Sequence, residues 1–282
     1  MKLLNYGSLG QEKPGLLDNN GTIRSLEGIC GVISSEFLTA GGLKQLRDIN
    51  INRLPIIDCS TRIGAPLLKP GKIIAVGLNY DEHIRETGSK RLDEPVLFTK
   101  AVSALNGPND PIELPKNSSQ VDWEVELVVI IGKQTKYIEE GAALSHIAGF
   151  CTGIDISERD FQKNRSGQWL KGKSADTFAP IGPYFVTSDE FTQFQSADLH
   201  LDVNGQRMQS GNTNKMIHRV TKLVSYISEF MSMQPGDLIF TGTPEGVGMG
   251  FKPPKFLRAG DKLEAEVTGL GKQTHDLIHW SK

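Results

Sequence analysis

Asp122-Trp123-Glu124-Val125-Glu126-Leu127-Val128-Val129-Ile130-Ile131 is the stretch on which the fold turns. Glu124 and Glu126 stand two residues apart, just ahead of an unbroken aliphatic run. Alternate side chains of a strand point to the same side, so both carboxylates share one face, and the run behind them has the character of a strand buried on both faces. Two like charges placed there repel and raise a pKa unless a cation neutralises them, which is the physical reason to look for a metal. Taken alone, the pair also fits a solvent-facing strand edge.

Working outward, further strands are expected at Lys72 to Gly77, Val96 to Lys100, Ala148 to Asp155, Tyr184 to Thr187, Leu199 to Val203, Leu238 to Thr241 and Leu263 to Val267. Met216 to Met231 carries Ile217, Val220, Leu223, Val224, Ile227 and Phe230 at helical spacing, and Asn79 to Thr87 reads as a short helix closed by Gly88. Strand-rich order without regular βαβ alternation predicts an α+β fold with a curved, mixed sheet. Before it, Asn19-Asn20-Gly21 signals a hairpin, and Leu43, Leu46 and Ile49 suggest one helix over Thr39 to Asn50. Pro55, Pro66 and Pro70-Gly71 then place a boundary near residue 68, between a small β-rich N-terminal domain (1–68) and a larger strand-rich domain (69–282).

The 31 basic and 33 acidic residues are scattered, without a basic block to track a phosphate backbone, so nucleic acid is not an expected partner. Three cysteines without CxxC spacing fit a reducing compartment. No signal-peptide core or membrane-length apolar run occurs, and a cytoplasmic protein is expected.

Asp155 ends a second apolar run, Gly149 to Ile154, and three carboxylates could therefore converge. An all-oxygen set suits Mg²⁺ or Mn²⁺, with Ca²⁺ as a substitute, over zinc. His83 and Glu86 stand at i and i+3, where a carboxylate can orient an imidazole as a general base; such pairs are also common on exposed helices. Lys173, in an apparent polar loop, and Arg159, after Asp155, are cations able to hold an oxyanion or simply to face solvent. The glycine-rich Thr241 to Gly250 follows a strand, but Phe251-Lys252-Pro253-Pro254 forbids the helix that a dinucleotide loop requires. Its backbone N–H groups and the Thr243 hydroxyl could still meet a carboxylate. The other five histidines fall in no ligand spacing.

Gly77-Leu78-Asn79-Tyr80 leading to His83 and Glu86, Asp122 to Leu127, Asp155 with Arg159, Gly172-Lys173-Ser174 with Asp176-Thr177-Phe178, and Gly242-Thr243-Pro244 with Gly246-Val247-Gly248 together resemble the fumarylacetoacetate hydrolase family in order and spacing. The resemblance implies a mixed β-roll catalytic domain, a Mg²⁺ or Mn²⁺ on Glu124, Glu126 and Asp155, a His83-Glu86 dyad on a mobile lid, and a homodimer. It places Lys173 with the catalytic groups and Arg159, Thr243, Gly242 and Tyr80 with the substrate. Gly10 to Gly15 and Met249 to Pro254 look like a bacterial subgroup that includes 2,4-diketo-3-deoxy-sugar-acid hydrolases and proteins labelled ureidoglycolate lyase.

The expected activity is metal-dependent hydrolytic carbon-carbon cleavage of a small 2,4-diketo acid to pyruvate and a smaller acid. Competing reactions at the same site are ureidoglycolate cleavage, oxaloacetate decarboxylation and 2-hydroxyhepta-2,4-diene-1,7-dioate isomerisation, since one scaffold hosts several chemistries. A competitor of another class is a non-enzymatic, metal-dependent binding protein.

Overall fold

A computed structural model describes residues 1–280. Its centre is an eleven-stranded mixed sheet whose main path runs Ile23–Ser25, Lys13–Leu17, Lys2–Tyr6, Ala179–Thr187, Ile147–Ile154, Val125–Ile131, Leu238–Phe240, Ile73–Gly77 and Val96–Lys100. Val125–Ile131 lies near the middle, and every one of its residues is buried, as an aliphatic run covered on both faces requires. It pairs antiparallel with Ile147–Ile154, in a register that sets Glu126 opposite Gly153 and Val125 opposite Ile154. Asp155 therefore leaves its strand beside the point where Glu124 enters, and the Asp155 amide donates to the Glu124 carbonyl at 2.8 Å. Two carboxylates thirty-one residues apart thus meet by strand register alone.

A second sheet of five strands, in the order Gln206–Asn212, Asp198–Val203, Lys262–Val267, Gly271–His279 and Ile112–Leu114, packs on the first and curls the whole into a roll. Helices are few and short; the longest, Val220–Phe230, buries Val220, Leu223, Val224 and Ile227. It begins later than the apolar spacing suggests, because Met216 bridges to Tyr80 and the Ile217 amide donates to the Asn79 carbonyl. The single helix expected over Thr39 to Asn50 is instead two, Ser35–Thr39 and Gly42–Gln45, broken at Gly41, whose φ of 76° is left-handed. The Asn19-Asn20-Gly21 hairpin forms as read, pairing Lys13–Leu17 with Ile23–Ser25. Through the pairing of Lys2–Tyr6 with Ala179–Thr187, the N-terminal strands continue the main sheet. Among the described residues no helix is long and apolar enough to cross a membrane.

Candidate active site

The ends of the central strands and the short helices and loops beside them line a narrow cleft with an interior volume of about 50 Å³. At its floor the carboxylates of Glu124, Glu126 and Asp155 bring one oxygen each to within 4.8 Å of one another, all buried. Three buried cations surround them. Lys173 Nζ donates to Glu124 Oε2 and Asp155 Oδ2, both at 2.7 Å, Lys100 Nζ donates to Asp155 Oδ1 at 2.5 Å, and an Arg159 Nη donates to Glu124 Oε1 at 2.6 Å. Glu126 receives no cation among the described residues; its hydrogen bond comes from the Gly242 amide at 2.7 Å.

This distribution decides the charge states. Burial opposes ionisation of Glu124, but Arg159 and then Lys173 hold its carboxyl below the usual carboxylate range. Burial pushes Glu126 the other way, and Asp155 and Glu124 add to it, so its carboxyl lies well above that range. Asp155 and Glu124 keep the buried Lys173 ammonium raised, whereas burial leaves Lys100 lowered despite Asp155. A further positive charge beside Glu126 is what this arrangement lacks, and a buried set of carboxylate oxygens is the donor chemistry of a hard divalent cation. The Glu124-Glu126-Asp155 group could therefore hold a metal ion, and the residues present fit one.

His83 and Glu86 lie on the helix Asp81–Glu86, with His83 Nδ1 2.9 Å from Glu86 Oε1. Glu86 is fixed in turn: the Gly246 amide donates to Oε2 at 2.8 Å and the Val247 amide to Oε1 at 3.4 Å. A carboxylate so held accepts from Nδ1–H, which leaves the lone pair on Nε2 of the neutral ring. His83 is 6% exposed and lines the cleft with Glu124, Glu126, Lys173 and Thr243.

Asp122, quoted in the decisive stretch but assigned no role by its sequence, binds these parts together. It accepts from its neighbour Trp123 (2.8 Å), from the Gly248 and Met249 amides (2.6 and 3.0 Å) and from Arg159 Nε (2.8 Å). The loop that pins Glu86 is thereby tied to the arginine that pins Glu124. Gln162, also unmarked, accepts from an Arg159 Nη at 3.0 Å and lines the cleft. Lys100 was legible only as a lysine ending an apolar strand.

Other sequence candidates are placed as follows. Lys173 ends a short helix, Leu170–Lys173, rather than a polar loop, and is 2% exposed, with its ammonium over the Phe98 ring. Arg159 is buried, committed to Asp122 and Glu124. Thr243 lines the cleft, yet its hydroxyl donates to the Val125 carbonyl and accepts from Gln209. Gly242 gives its amide to Glu126. The Tyr80 hydroxyl is buried without a partner among the described residues and does not line the cleft, and burial together with Glu126 and Glu245 raises its pKa.

Comparison with known proteins meets this geometry. The model of the fumarylacetoacetate (FAA) hydrolase C-terminal family matches residues 72–278. A 2,4-didehydro-3-deoxy-L-rhamnonate hydrolase of Sphingomonas sp. (strain SKA58) is 47% identical over 99% of this chain and 97% of its own. Among solved structures, the fumarylacetoacetate hydrolase of psychrophilic Exiguobacterium antarcticum superposes with a TM-score of 0.89 at 34% identity, covering 99% of this chain and 100% of that one. The 2-hydroxyhepta-2,4-diene-1,7-dioate isomerase of Mycobacterium marinum does so with 0.79 at 33%, covering 100% of both. Family model, full-length relatives and superposed rolls agree with the motif order, and the chain belongs to the fumarylacetoacetate hydrolase family.

Proposed function

We propose that this enzyme hydrolyses the carbon-carbon bond between C3 and C4 of a 2,4-dioxo acid, of the acylpyruvate type that includes 2,4-dioxo-3-deoxy sugar acids. The observation that carries the reading is that His83, paired with Glu86, lines the same cleft as Glu124 and Glu126, whose carboxylates converge with that of Asp155. A divalent cation, Mg²⁺ or Mn²⁺, held by Glu124, Glu126 and Asp155 would supply Lewis acidity to the carboxylate and 2-oxo end of the substrate. His83 Nε2 takes a proton from water as its oxygen adds to C4, a role typically worth about 10² to 10⁴ in rate, and Glu86 stabilises the resulting imidazolium. The C3–C4 bond then breaks with its electron pair passing to C3, so that C4 leaves as a carboxylic acid and C1 to C3 become pyruvate once a proton reaches C3. The Lys173 ammonium and the free Gln162 amide hydrogens are the donors available for charge that develops on oxygen. No electrons enter or leave. The 47% identical relative, named for hydrolysis of such a sugar acid, supports hydrolysis over isomerisation.

The deciding experiment offers the purified protein 2,4-dioxo acids, oxaloacetate, ureidoglycolate and 2-hydroxyhepta-2,4-diene-1,7-dioate with Mg²⁺ or Mn²⁺, and identifies products by mass. Pyruvate and a second acid in equal amounts, with one oxygen from labelled water in that acid, are expected from the first class only. Isomerised product without cleavage, or turnover unaffected by chelator, overturns the proposal. The protein is further proposed to act as a cytoplasmic homodimer, which light scattering of the purified chain tests.

A further inference from the structure

Asn5 and Asn79 are both fully buried and are bonded in the same way. Asn5 Nδ2 donates to the Ile33 and Ala65 carbonyls, both at 3.0 Å, while its Oδ1 accepts from the Ile33 amide at 2.8 Å. Asn79 Nδ2 donates to the His218 and Thr241 carbonyls at 3.0 and 2.8 Å, while its Oδ1 accepts from the His218 amide at 2.7 Å. Each side-chain amide thereby commits both hydrogens and its oxygen inside the protein. They differ in what lies beyond their partners. Ile33 and Ala65 sit in N-terminal loops and do not line the cleft. The Thr241 carbonyl belongs to the peptide whose other end is the Gly242 amide, the group that donates to Glu126 Oε2 at 2.7 Å.

The sheet order explains the juxtaposition. Leu238–Phe240 runs between Val125–Ile131 and Ile73–Gly77. The peptide that follows it is therefore flanked by Glu126 from one neighbour and by Asn79, just past the end of the other. Thr241 is anchored on the first side as well, its amide and hydroxyl donating to the Leu127 carbonyl at 3.1 and 2.8 Å. A trans peptide is planar, with C=O and N–H pointing in opposite directions, so a donor on its oxygen and an acceptor on its hydrogen together fix the plane. Gly242 makes room for this: its φ is 95°, and a Cβ there would stand 2.8 Å from Asn79 Cβ. We propose that Asn79 is the positioning residue of Glu126, holding the Thr241–Gly242 peptide so that its amide presets the Glu126 carboxylate for the cation. Asn79 does not line the cleft, and its side chain bonds none of the three carboxylates. It acts through the peptide alone. Removing a group that orients a metal ligand from behind typically weakens metal binding by about 10- to 100-fold. The inference rests on the reading of the three carboxylates as a metal site and adds the side chain that holds the one without a cation partner.

Asn5 supplies the control, since its removal breaks the same kinds of bond away from the site. Mn²⁺ is titrated calorimetrically into the full chain, into Asn79→Ala and into Asn5→Ala, with melting temperatures recorded alongside. Both variants should melt lower than the parent, and Asn79→Ala alone should bind Mn²⁺ about 10- to 100-fold more weakly. Parental affinity in Asn79→Ala, or an equal loss in Asn5→Ala, overturns the proposal. Should Asn79→Ala not fold, Asn79→Asp against Asn5→Asp replaces the pair. Aspartate keeps the volume and the bond from the His218 amide but turns an oxygen toward the Thr241 carbonyl, and the same split in affinity is expected. A second readout needs no metal. A 2.7 Å bond to a carboxylate moves the Gly242 amide proton resonance downfield. With chelator present, that resonance should move upfield in the Asn79 variant and stay in place in the Asn5 variant; a resonance unmoved in both overturns the proposal. If the parent binds no Mn²⁺, the metal reading fails separately, and the resonance by itself decides whether Asn79 holds the peptide on Glu126.

Discussion

The carboxylate floor and the His83-Glu86 pair face one cleft but are held by different kinds of structure. Glu124, Glu126 and Asp155 sit at the ends of fully buried central strands, ringed by three buried cations. His83 and Glu86 sit on a six-residue helix, too short to be stable by itself, and Glu86 is held by amides of a loop some 160 residues away in sequence. The floor has its geometry from the sheet; the pair borrows its geometry from a contact. Substitutions in the first should therefore remove binding, and substitutions in the second should remove rate while binding persists.

The largest effect is expected at the floor. Glu126→Ala should abolish Mg²⁺ or Mn²⁺ binding in a titration calorimeter and take activity below detection while the fold persists, since the variant removes the carboxyl that no cation partners. Metal stoichiometry retained in a folded triple replacement of Glu124, Glu126 and Asp155 would falsify the site. Next comes His83→Ala, which should lower kcat by about 10² to 10⁴ with KM changed by less than about threefold. Equal losses in both groups of variants, or a raised KM in the second, would erase the distinction between floor and pair.

Asp122→Asn tests the link between the two. Asparagine keeps the shape but exchanges one acceptor oxygen for a donor facing Arg159 and the loop amides. Breaking one side of a buried ion pair costs about 3–5 kcal/mol, so the melting temperature should fall. A purely structural role stops there; a linking role also weakens metal affinity by about tenfold and speeds amide exchange at residues 246–249. Metal affinity should depend on pH as well. Because burial, Asp155 and Glu124 raise the Glu126 carboxyl, binding expels its proton and tightens as pH rises, by at most about tenfold per unit, until that carboxyl is ionised. The same group makes the chelated protein lose stability as pH rises from the unfolded value near 4.5 through the raised folded one, because the unfolded chain gives up the proton first. The melting-temperature gap between metal-loaded and chelated protein should widen across that window. A constant gap would mean that Glu126 is already compensated.

What the sequence made legible follows the same division. Aliphatic runs such as Val125–Ile131 announce themselves, and most strands found from them fall within two residues of their observed ends. Gly271–His279 stayed hidden because its inward positions include Gln273 and His275. These side chains are buried but satisfied, Gln273 by the Thr152 and Gly182 carbonyls and His275 by the Asp110 carbonyl, and burial lowers the His275 pKa to about 4. Hydrophobic periodicity is blind to a core built from matched polar groups. In the site, the three convergent carboxylates and the dyad were legible through spacing and strand ends. Lys100, Asp122 and Gln162 were not, because each acts through partners 37 to 127 residues away, or through a neighbour whose own role is tertiary.

The smallest expected effect isolates the borrowed contact. Gly250 closes the short turn Gly248–Gly250 and its backbone is not left-handed, so alanine is tolerated there without backbone strain. A Cβ at this position would nonetheless stand 2.8 Å from Glu86 Oε2 and 2.9 Å from its carboxyl carbon, closer than side chains approach. The carboxylate must then rotate away, and it is a flexible group at the end of a side chain, so the fold yields at little cost, on the order of 1 kcal/mol. That motion withdraws Glu86 from the Gly246 amide and from His83 Nδ1 together, and the imidazole loses the partner that fixes its tautomer and orientation. Gly250→Ala should consequently lower kcat by about tenfold and leave metal affinity and KM within about twofold. A parental kcat would show that Glu86 keeps its grip on His83 after losing the loop, and that the helix carries the pair's geometry without help from the far end of the chain.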